Sequence, residues 1–287
     1  MAEKGKVMRE IEAQKITAEV ARLCIEACTE PEPDLTAALE AARKIEESEA
    51  GKEVLQEIIE NNQIASREKM PMCQDTGFTV VFIELGQDLH ITGKSLKDAV
   101  NEGVRKGYTE GYLRKSVVAH PFRRENTKDN TPAVVHIEIV PGDRLRILVA
   151  PKGGGSENMS TVKMMTPADG YEGVKKFVID WVRKSGANPC PPVIVGVGIG
   201  GTFEYAALLA KKAALRKIGL HSSDTQNAKM EEELLTETNS LGIGPQGYGG
   251  RVTALSVNVE THPCHIASLP VAVNIQCHSA RHKEITL

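Results

Sequence analysis

Met72-Cys73-Gln74-Asp75-Thr76-Gly77-Phe78-Thr79-Val80-Val81-Phe82-Ile83-Glu84-Leu85 is where the chain changes character. Before it, apolar residues recur at helical spacing. From Phe78 onward, β-branched and aromatic side chains crowd into a run that predicts a strand. Pro71 discourages regular structure and Gly77 permits an unusual turn, so Cys73, Gln74 and Asp75 are expected on a shaped loop. A cysteine with polar, turn-forming flanks reads as a ligand or nucleophile rather than as core filler.

Upstream, Ile11, Ile16, Val20, Leu23 and Ile25 predict an amphipathic helix over residues 7–28. Cys24 and Cys28 share its apolar face with Ala21 and Ala27, which favours a place in the core over metal binding. Pro31 and Pro33 end that helix, and Asp34 is placed to cap the next. Helices are expected over 35–48 and 52–66, with Glu46, Glu47 and Glu49 as a solvated face. Residues 1–70 therefore read as mainly helical.

Downstream, a helix is expected over 95–108. Strands over 133–140 and 145–150, joined by Pro141-Gly142-Asp143, imply an antiparallel pair. Lys152-Gly153-Gly154-Gly155-Ser156-Glu157-Asn158 reads either as a backbone cradle for an anion or as a mobile connector, with Ser156 capping a helix through Val162 and Met165. Further helices are expected over 171–184, 202–217 and 226–239, and further strands over 193–197, 252–259 and near 271–275. No internal repeat is visible. The fold class is α+β: a helical N-terminal part, then mixed, largely antiparallel sheet lobes with covering helices. One domain spans 1–287, with residues 1–70 as a candidate lobe.

Composition narrows the function. With 287 residues the chain can bury a large core. Thirty-five basic against 38 acidic residues argue against nucleic acid and anionic membranes as partners. Aromatic content of 4% makes base stacking a poor guess. No apolar run is long enough to span a bilayer, and charges interrupt the N-terminus after Met1-Ala2-Glu3-Lys4-Gly5-Lys6 before a signal-peptide core can form. A cytoplasmic location is expected, so the six cysteines are free thiols or ligands rather than disulfides.

Gly196-Val197-Gly198-Ile199-Gly200-Gly201 has the spacing of a dinucleotide fingerprint. The region near Leu215 to Ser222 lacks the second strand and acidic residue that such a site needs. The glycines are better explained as a close approach of backbone to a small ligand or to another element. Cys73, Cys190 and Cys277 each lie in a turn-like setting, at separations that fit no zinc-finger or ferredoxin pattern. Converging thiolates would suit an iron–sulfur cluster, and unrelated buried cysteines are the competing explanation. His262, His265, His278 and His282 crowd the C-terminus as acid, base or ligand candidates, or as members of a hydrogen-bond network. Arg114 and Arg281 are guanidinium candidates for a dicarboxylate.

Six motifs in order resemble the iron–sulfur hydro-lyases: Met72 to Gly77, Leu113-Arg114-Lys115-Ser116-Val117-Val118, Asn126-Thr127-Lys128-Asp129-Asn130-Thr131-Pro132, Lys152 to Asn158, Gly196 to Thr202, and His265-Ile266-Ala267-Ser268-Leu269-Pro270. The chain most closely resembles the α subunit of a class I fumarate hydratase or tartrate dehydratase. That resemblance implies a 4Fe-4S cluster on Cys73, Cys190 and Cys277. It also implies dicarboxylate contacts from Gln74, Asp75, Arg114, Gly155 and His265, with Asp75 as the acid. Single-chain members carry a further C-terminal domain, so a separate β subunit is expected to complete the site in a hetero-oligomer. The expected reaction is reversible dehydration of (S)-malate to fumarate. Tartrate dehydration is the nearest rival, a non-catalytic thiolate–metal scaffold the rival of another class, and NAD binding the weakest.

Overall fold

The computed structural model describes residues 8–287, so the reading of Met1 to Lys6 and the Val7 start of the first helix lie outside the described residues. In chain order the elements begin β1 (Arg9–Glu12), α1 (Ala13–Thr29), α2 (Pro33–Ile45), α3 (Glu49–Glu68), β2 (Phe78–Gly86), β3 (Leu89–Thr92) and α4 (Leu96–Glu110). Then come β4 (Val134–Val140), β5 (Leu145–Lys152), α5 (Gly154–Glu157), β6 (Thr161–Met165) and α6 (Gly170–Ser185). The chain closes with β7 (Val193–Gly200), α7 (Phe203–Ala213), α8 (Thr225–Asn239), β8 (Ala254–His262), β9 (Leu269–Gln276) and β10 (Lys283–Thr286). The class is α+β. No described helix is long and apolar enough to cross a membrane.

The chain forms two units. The first comprises Met1–Glu30, Ala65–Lys152 and Arg281–Leu287. Its sheet has the order β10-β5-β2-β4, with β2 parallel to β4 and antiparallel to β5, and β10 antiparallel to β5. The apolar stripe of α1 (Ile16, Val20, Leu23, Cys24, Cys28) buries with Val81, Ile83, Ile147 and Val149 of the sheet. Residues 9–12 are a strand rather than the start of α1: β1 pairs in parallel with β3, and Ile11 alone in it is buried. Local periodicity cannot see a partner about 80 residues away.

The strands β4 and β5 are antiparallel, yet they are not neighbours as the short turn implied. β2 lies between them, and residues 141–144 pass over its end. Gly86 makes this possible, because a Cβ there would meet the Gly142 carbonyl oxygen at 2.5 Å and the Arg144 nitrogen at 2.8 Å. Its N–H is given to the Arg144 carbonyl at 2.8 Å.

The second unit comprises Pro31–Ile64 and Gly153–Ala280. Its sheet has the order β6-β9-β7-β8, with β7 parallel to β8 and antiparallel to β9, and β6 antiparallel to β9. The pattern of directions is that of the first sheet. Here too a connection crosses the end of a central strand: residues 263–268 pass over β7 at Gly200, where a Cβ would meet the His262 carbonyl oxygen at 1.9 Å. Within β7, a Cβ on Gly196 or Gly198 would lie 2.1 Å from the carbonyl oxygen of Ala210 or Ala206. These glycines therefore serve the close approach of α7 to the sheet.

Three local expectations in this unit are corrected. Thr161 to Met165 form β6 on the edge beside β9, so α5 is a single turn, and Ser156 gives its hydroxyl back to the Gly153 carbonyl at 3.3 Å. β-branched Thr161 and Val162 suit that edge. Asp34 does not cap α2; it lies in the first turn and accepts the Ile218 N–H at 2.7 Å. Glu46 is no solvated residue, being 3% exposed. Its carboxylate accepts the N–H groups of Glu47, Ser48, Arg251 and Val252 at 2.7–2.9 Å. Burial raises its pKa most, and the four donors together outweigh burial, leaving the net value lowered.

Candidate active site

The loop between α3 and β2 is held from several sides within the first unit. Met72 is buried and gives its N–H to the Cys28 carbonyl at 2.9 Å. At the other end Gly77 takes φ +78°, and a Cβ there would collide with the Lys152 backbone at 2.6 Å. Gly77 N–H is accepted by Asp75 Oδ1 at 3.0 Å, closing a tight turn. Tyr108, fully buried, gives its hydroxyl to the carbonyls of Thr76 and Gly77 at 2.8 and 3.1 Å. Burial pushes that phenol well above its ordinary pKa, so it stays a donor. Asn130, also fully buried, gives Nδ2 to the Gly77 carbonyl and accepts the N–H of Ser116 and Val117.

Between these anchors stand the expected groups. Cys73 is half-buried and gives its thiol to Gln74 Oε1 at 3.4 Å. Arg114 is exposed, and its carbonyl accepts Thr76 Oγ1 at 3.2 Å, which places it beside the same loop. Cys73, Gln74, Asp75 and Arg114 are thus gathered in one place. Arg281 is 2% exposed and gives Nη1 to the Asp75 carbonyl. This buried guanidinium fixes the loop that carries the acid.

In the second unit, Cys190 precedes β7 and Cys277 follows β9. Because these strands are antiparallel neighbours, with Ile194 opposite Gln276, the two cysteines come to one end of the sheet. The Cys190 carbonyl accepts the His278 N–H at 3.3 Å, which ties the two loops directly. Cys190 takes a left-handed φ of 57° and its side chain is exposed, while Cys277 is half-buried. Gln246 braces the turn, giving both its backbone N–H and Nε2 to the Pro191 carbonyl at 2.8 Å.

Gly155 lies beside the same turn: a Cβ on it would be 3.8 Å from the Asn188 carbonyl oxygen. The glycine-rich segment is pinned at Glu157, whose carboxylate accepts Lys211 Nζ at 2.7 and 2.8 Å and Asn274 Nδ2 at 3.1 Å. Asn274 in turn lies in β9, two positions before Gln276. A lysine of α7 and an amide of β9 hold this stretch, so it is no free connector. His265 is not gathered with Cys190 and Cys277. Its loop crosses the far end of β7, an eight-residue strand of about 23 Å. There His265 Nδ1 accepts the Ala267 N–H at 3.1 Å.

The six cysteines divide into a buried pair and four accessible ones, of which Cys264 lies in the crossing loop at the far end of β7 and gives its thiol to the Ser268 carbonyl at 3.3 Å. Cys24 and Cys28 are fully buried in α1, and burial pushes Cys28 up to about 12 and Cys24 well above its usual value, so both remain thiols. Cys73, Cys190 and Cys277 are accessible on braced loops, and soft thiolates are the donors that iron–sulfur clusters take. Among the described residues, no group of three or more His, Cys, Asp or Glu is gathered tightly enough for a single metal ion. Three soft thiols are a donor set that fits an iron–sulfur cluster in kind.

Tyr108, Asn130, Glu157, Lys211 and Gln246 were not singled out from sequence as site residues. Asn130 stands inside a quoted motif, two positions before Pro132. Tyr108 and Gln246 carry no sequence signal, since each acts through backbone carbonyls remote in sequence.

The class to which the chain belongs is that of the hydro-lyases. Residues 17–286 match the family model for fumarate hydratase (Fumerase), and the chain belongs to that family. It is 46% identical over 273 residues to the putative L(+)-tartrate dehydratase subunit alpha of Methanocaldococcus jannaschii, covering 93% of this chain and 95% of that one. It is 35% identical over 271 residues to the L(+)-tartrate dehydratase subunit alpha of Escherichia coli strain UTI89, covering 93% and 89%.

Proposed function

We propose that this chain is the cluster-bearing α-type subunit of a hydro-lyase acting on a four-carbon 2-hydroxydicarboxylate, with (S)-malate and fumarate as its reactant pair. The observation that carries the reading is the gathering of Cys73, Gln74, Asp75 and Arg114 on one braced loop system, matched by Cys190 and Cys277 tied at one sheet end. Cys73, Cys190 and Cys277 would hold a 4Fe-4S cluster, which with three protein thiolates supplies an iron open to act as a Lewis acid toward the substrate hydroxyl.

Everything else falls to the protein's own groups. Arg114 suits one substrate carboxylate, because its planar fork matches two oxygens at once. Gln74 offers an amide to the hydroxyl end of the substrate, and Gly155 admits backbone to close range. Asp75 carries the proton that leaves with the departing hydroxyl as water, while the C3 proton goes to a base and the C2–C3 double bond forms. That base is expected on a separate β subunit, in keeping with relatives that are named as alpha subunits. His265 lies at the opposite end of β7 from Cys190 and Cys277.

A second reading has its own support. The tartrate names of relatives at 46% and 35% identity favour L(+)-tartrate as substrate. Its additional hydroxyl needs a polar partner, and sites built to pair a hydroxyl discriminate strongly. Anaerobic coexpression with the β subunit, followed by assay of malate, fumarate and L(+)-tartrate, decides between them. Turnover of malate and fumarate with little of tartrate supports the first reading. The reverse preference supports the second, and turnover of none of the three removes both.

A further inference from the structure

Asn101, Arg105 and Tyr108 stand at i, i+4 and i+7 of α4, so they share one face of the helix. Each holds a loop. Asn101 Oδ1 accepts the Ala133 N–H at 2.9 Å, and Arg105 gives Nε to Asp129 Oδ2 at 2.9 Å. The Tyr108 carbonyl accepts the Leu113 N–H at 3.1 Å, while its hydroxyl reaches the carbonyls of Thr76 and Gly77. One helix is thus the frame for three segments: 75–77 with the acid, 113–117 with the arginine, and 129–133, which bridges the two.

The bridge is a single amide. Asp129 Oδ1 accepts the N–H and the hydroxyl of Thr131 at 3.0 and 2.8 Å, a turn that Asx side chains readily form. Asn130 takes a left-handed φ of 59°, which asparagine tolerates, and its side chain is fully buried. Its Nδ2 is given to the Gly77 carbonyl at 3.2 Å, and its Oδ1 accepts the N–H of Ser116 at 2.7 Å and of Val117 at 3.3 Å. Gly77 lies two positions after Asp75, and Ser116 two positions after Arg114. A second tie runs beside the first: Thr76, 1% exposed, gives Oγ1 to the Arg114 carbonyl at 3.2 Å. An aliphatic side chain would fill the same space and leave the loops free to slide. A buried amide with both donor and acceptor paired fixes one spacing.

We propose, given the hydro-lyase reading, that Asn130 with Thr76 is a positioning residue that sets the separation of Asp75 from Arg114. The acid then meets the departing hydroxyl while the guanidinium holds a substrate carboxylate. The effect is on alignment rather than affinity. Arg114 is an exposed, long side chain that reaches a carboxylate with or without the tie, whereas proton transfer needs the acid at hydrogen-bond distance. A displacement of about 1 Å in such a group costs on the order of 10²-fold in rate.

Steady-state kinetics of the enzyme assembled anaerobically with its β subunit, scaled to iron content, test this. Asn130→Asp keeps the shape and the acceptor for Ser116 and Val117 but loses the amide donor to the Gly77 carbonyl. Its kcat per iron-loaded site should fall about 10–100-fold, with iron per chain unchanged and KM within about threefold of native. Thr76→Val, also close in shape, should lower kcat about three- to tenfold. The decisive comparison is a cycle with Asp75→Asn. Once the acid is gone its alignment no longer matters, so adding Asn130→Asp should cost less than about threefold more. Native kcat per iron-loaded site in Asn130→Asp would overturn the proposal, as would independent, multiplicative losses in the doubly substituted chain, the mark of a merely structural role. If Asn130→Asp loads no iron, Thr76→Val is read in the same cycle, and native kcat there overturns the proposal. In each of these cases native turnover leaves the hydro-lyase reading standing. A native enzyme inert toward malate, fumarate and L(+)-tartrate removes that reading and the proposal with it.

Discussion

In the first sheet β4 reaches β5 by crossing the end of β2 at Gly86, and in the second β8 reaches β9 by crossing the end of β7 at Gly200. The crossing occupies one end of each central strand and leaves the other end open. The residues proposed for the chemistry lie at that other end in both. Cys73, Gln74 and Asp75 lead into β2, Cys190 leads into β7, and Cys277 leaves β9. The sheets differ in what they carry there: the first brings Asp75 with one thiol, the second two thiols. A shared strand plan thus supplies equivalent positions, and loop sequence decides which group each presents.

Asp75→Asn should have the largest effect, since it removes the acid while an amide oxygen can still accept the Gly77 N–H. In the assembled enzyme kcat should fall about 10²–10⁴-fold, with iron content unchanged. Loss of iron in that variant would mean that the first loop serves cluster assembly rather than proton transfer.

Next come the two crossings. Gly200→Ala forces a Cβ to 1.9 Å from a carbonyl oxygen at φ +90°, and should cost about 3 kcal/mol or more by chemical denaturation. Gly86→Ala meets its carbonyl at 2.5 Å without the φ penalty and should cost about 1–3 kcal/mol. Indifference at either site would break the likeness between the sheets.

Glu46→Gln probes a buried carboxylate of the second unit. One side-chain oxygen and its charge are lost from four backbone donors, for a cost of about 2 kcal/mol. Because the folded pKa of Glu46 lies below 4.5, its contribution is present above that pH and is lost as pH falls through the lowered value. The stability of the variant should therefore fall less steeply on acidification below 4.5 than that of the native chain. An unchanged acid limb would contradict the lowered value.

Much of this was legible in the residues. Helical periodicity marked the body of α1 and α6, and β-branched runs marked β2, β7 and β9, because local spacing follows burial on one face. The loop of Cys73 to Asp75 was legible from Pro71 and Gly77. What failed depended on distant partners. The turn at 141–144 looks like a hairpin and is a crossing, since nothing nearby records that β2 inserts. Glu46 looks solvated because Arg251 and Val252, two of its four donors, are 205 and 206 positions away. The far placement of His265 follows from the β8–β9 crossing, which a motif resemblance does not reveal.

The central claim is that Cys73, Cys190 and Cys277, and not the buried pair of α1, hold the metal group. Iron and acid-labile sulfide per chain, with visible absorbance, should be measured anaerobically on the native protein, on Cys190→Ser and on Cys28→Ser. The account predicts about four irons and four sulfides in the native chain. It predicts loss of most of them in Cys190→Ser and retention in Cys28→Ser. Equal loss from both variants, or a native chain that binds no iron after reconstitution, would contradict it.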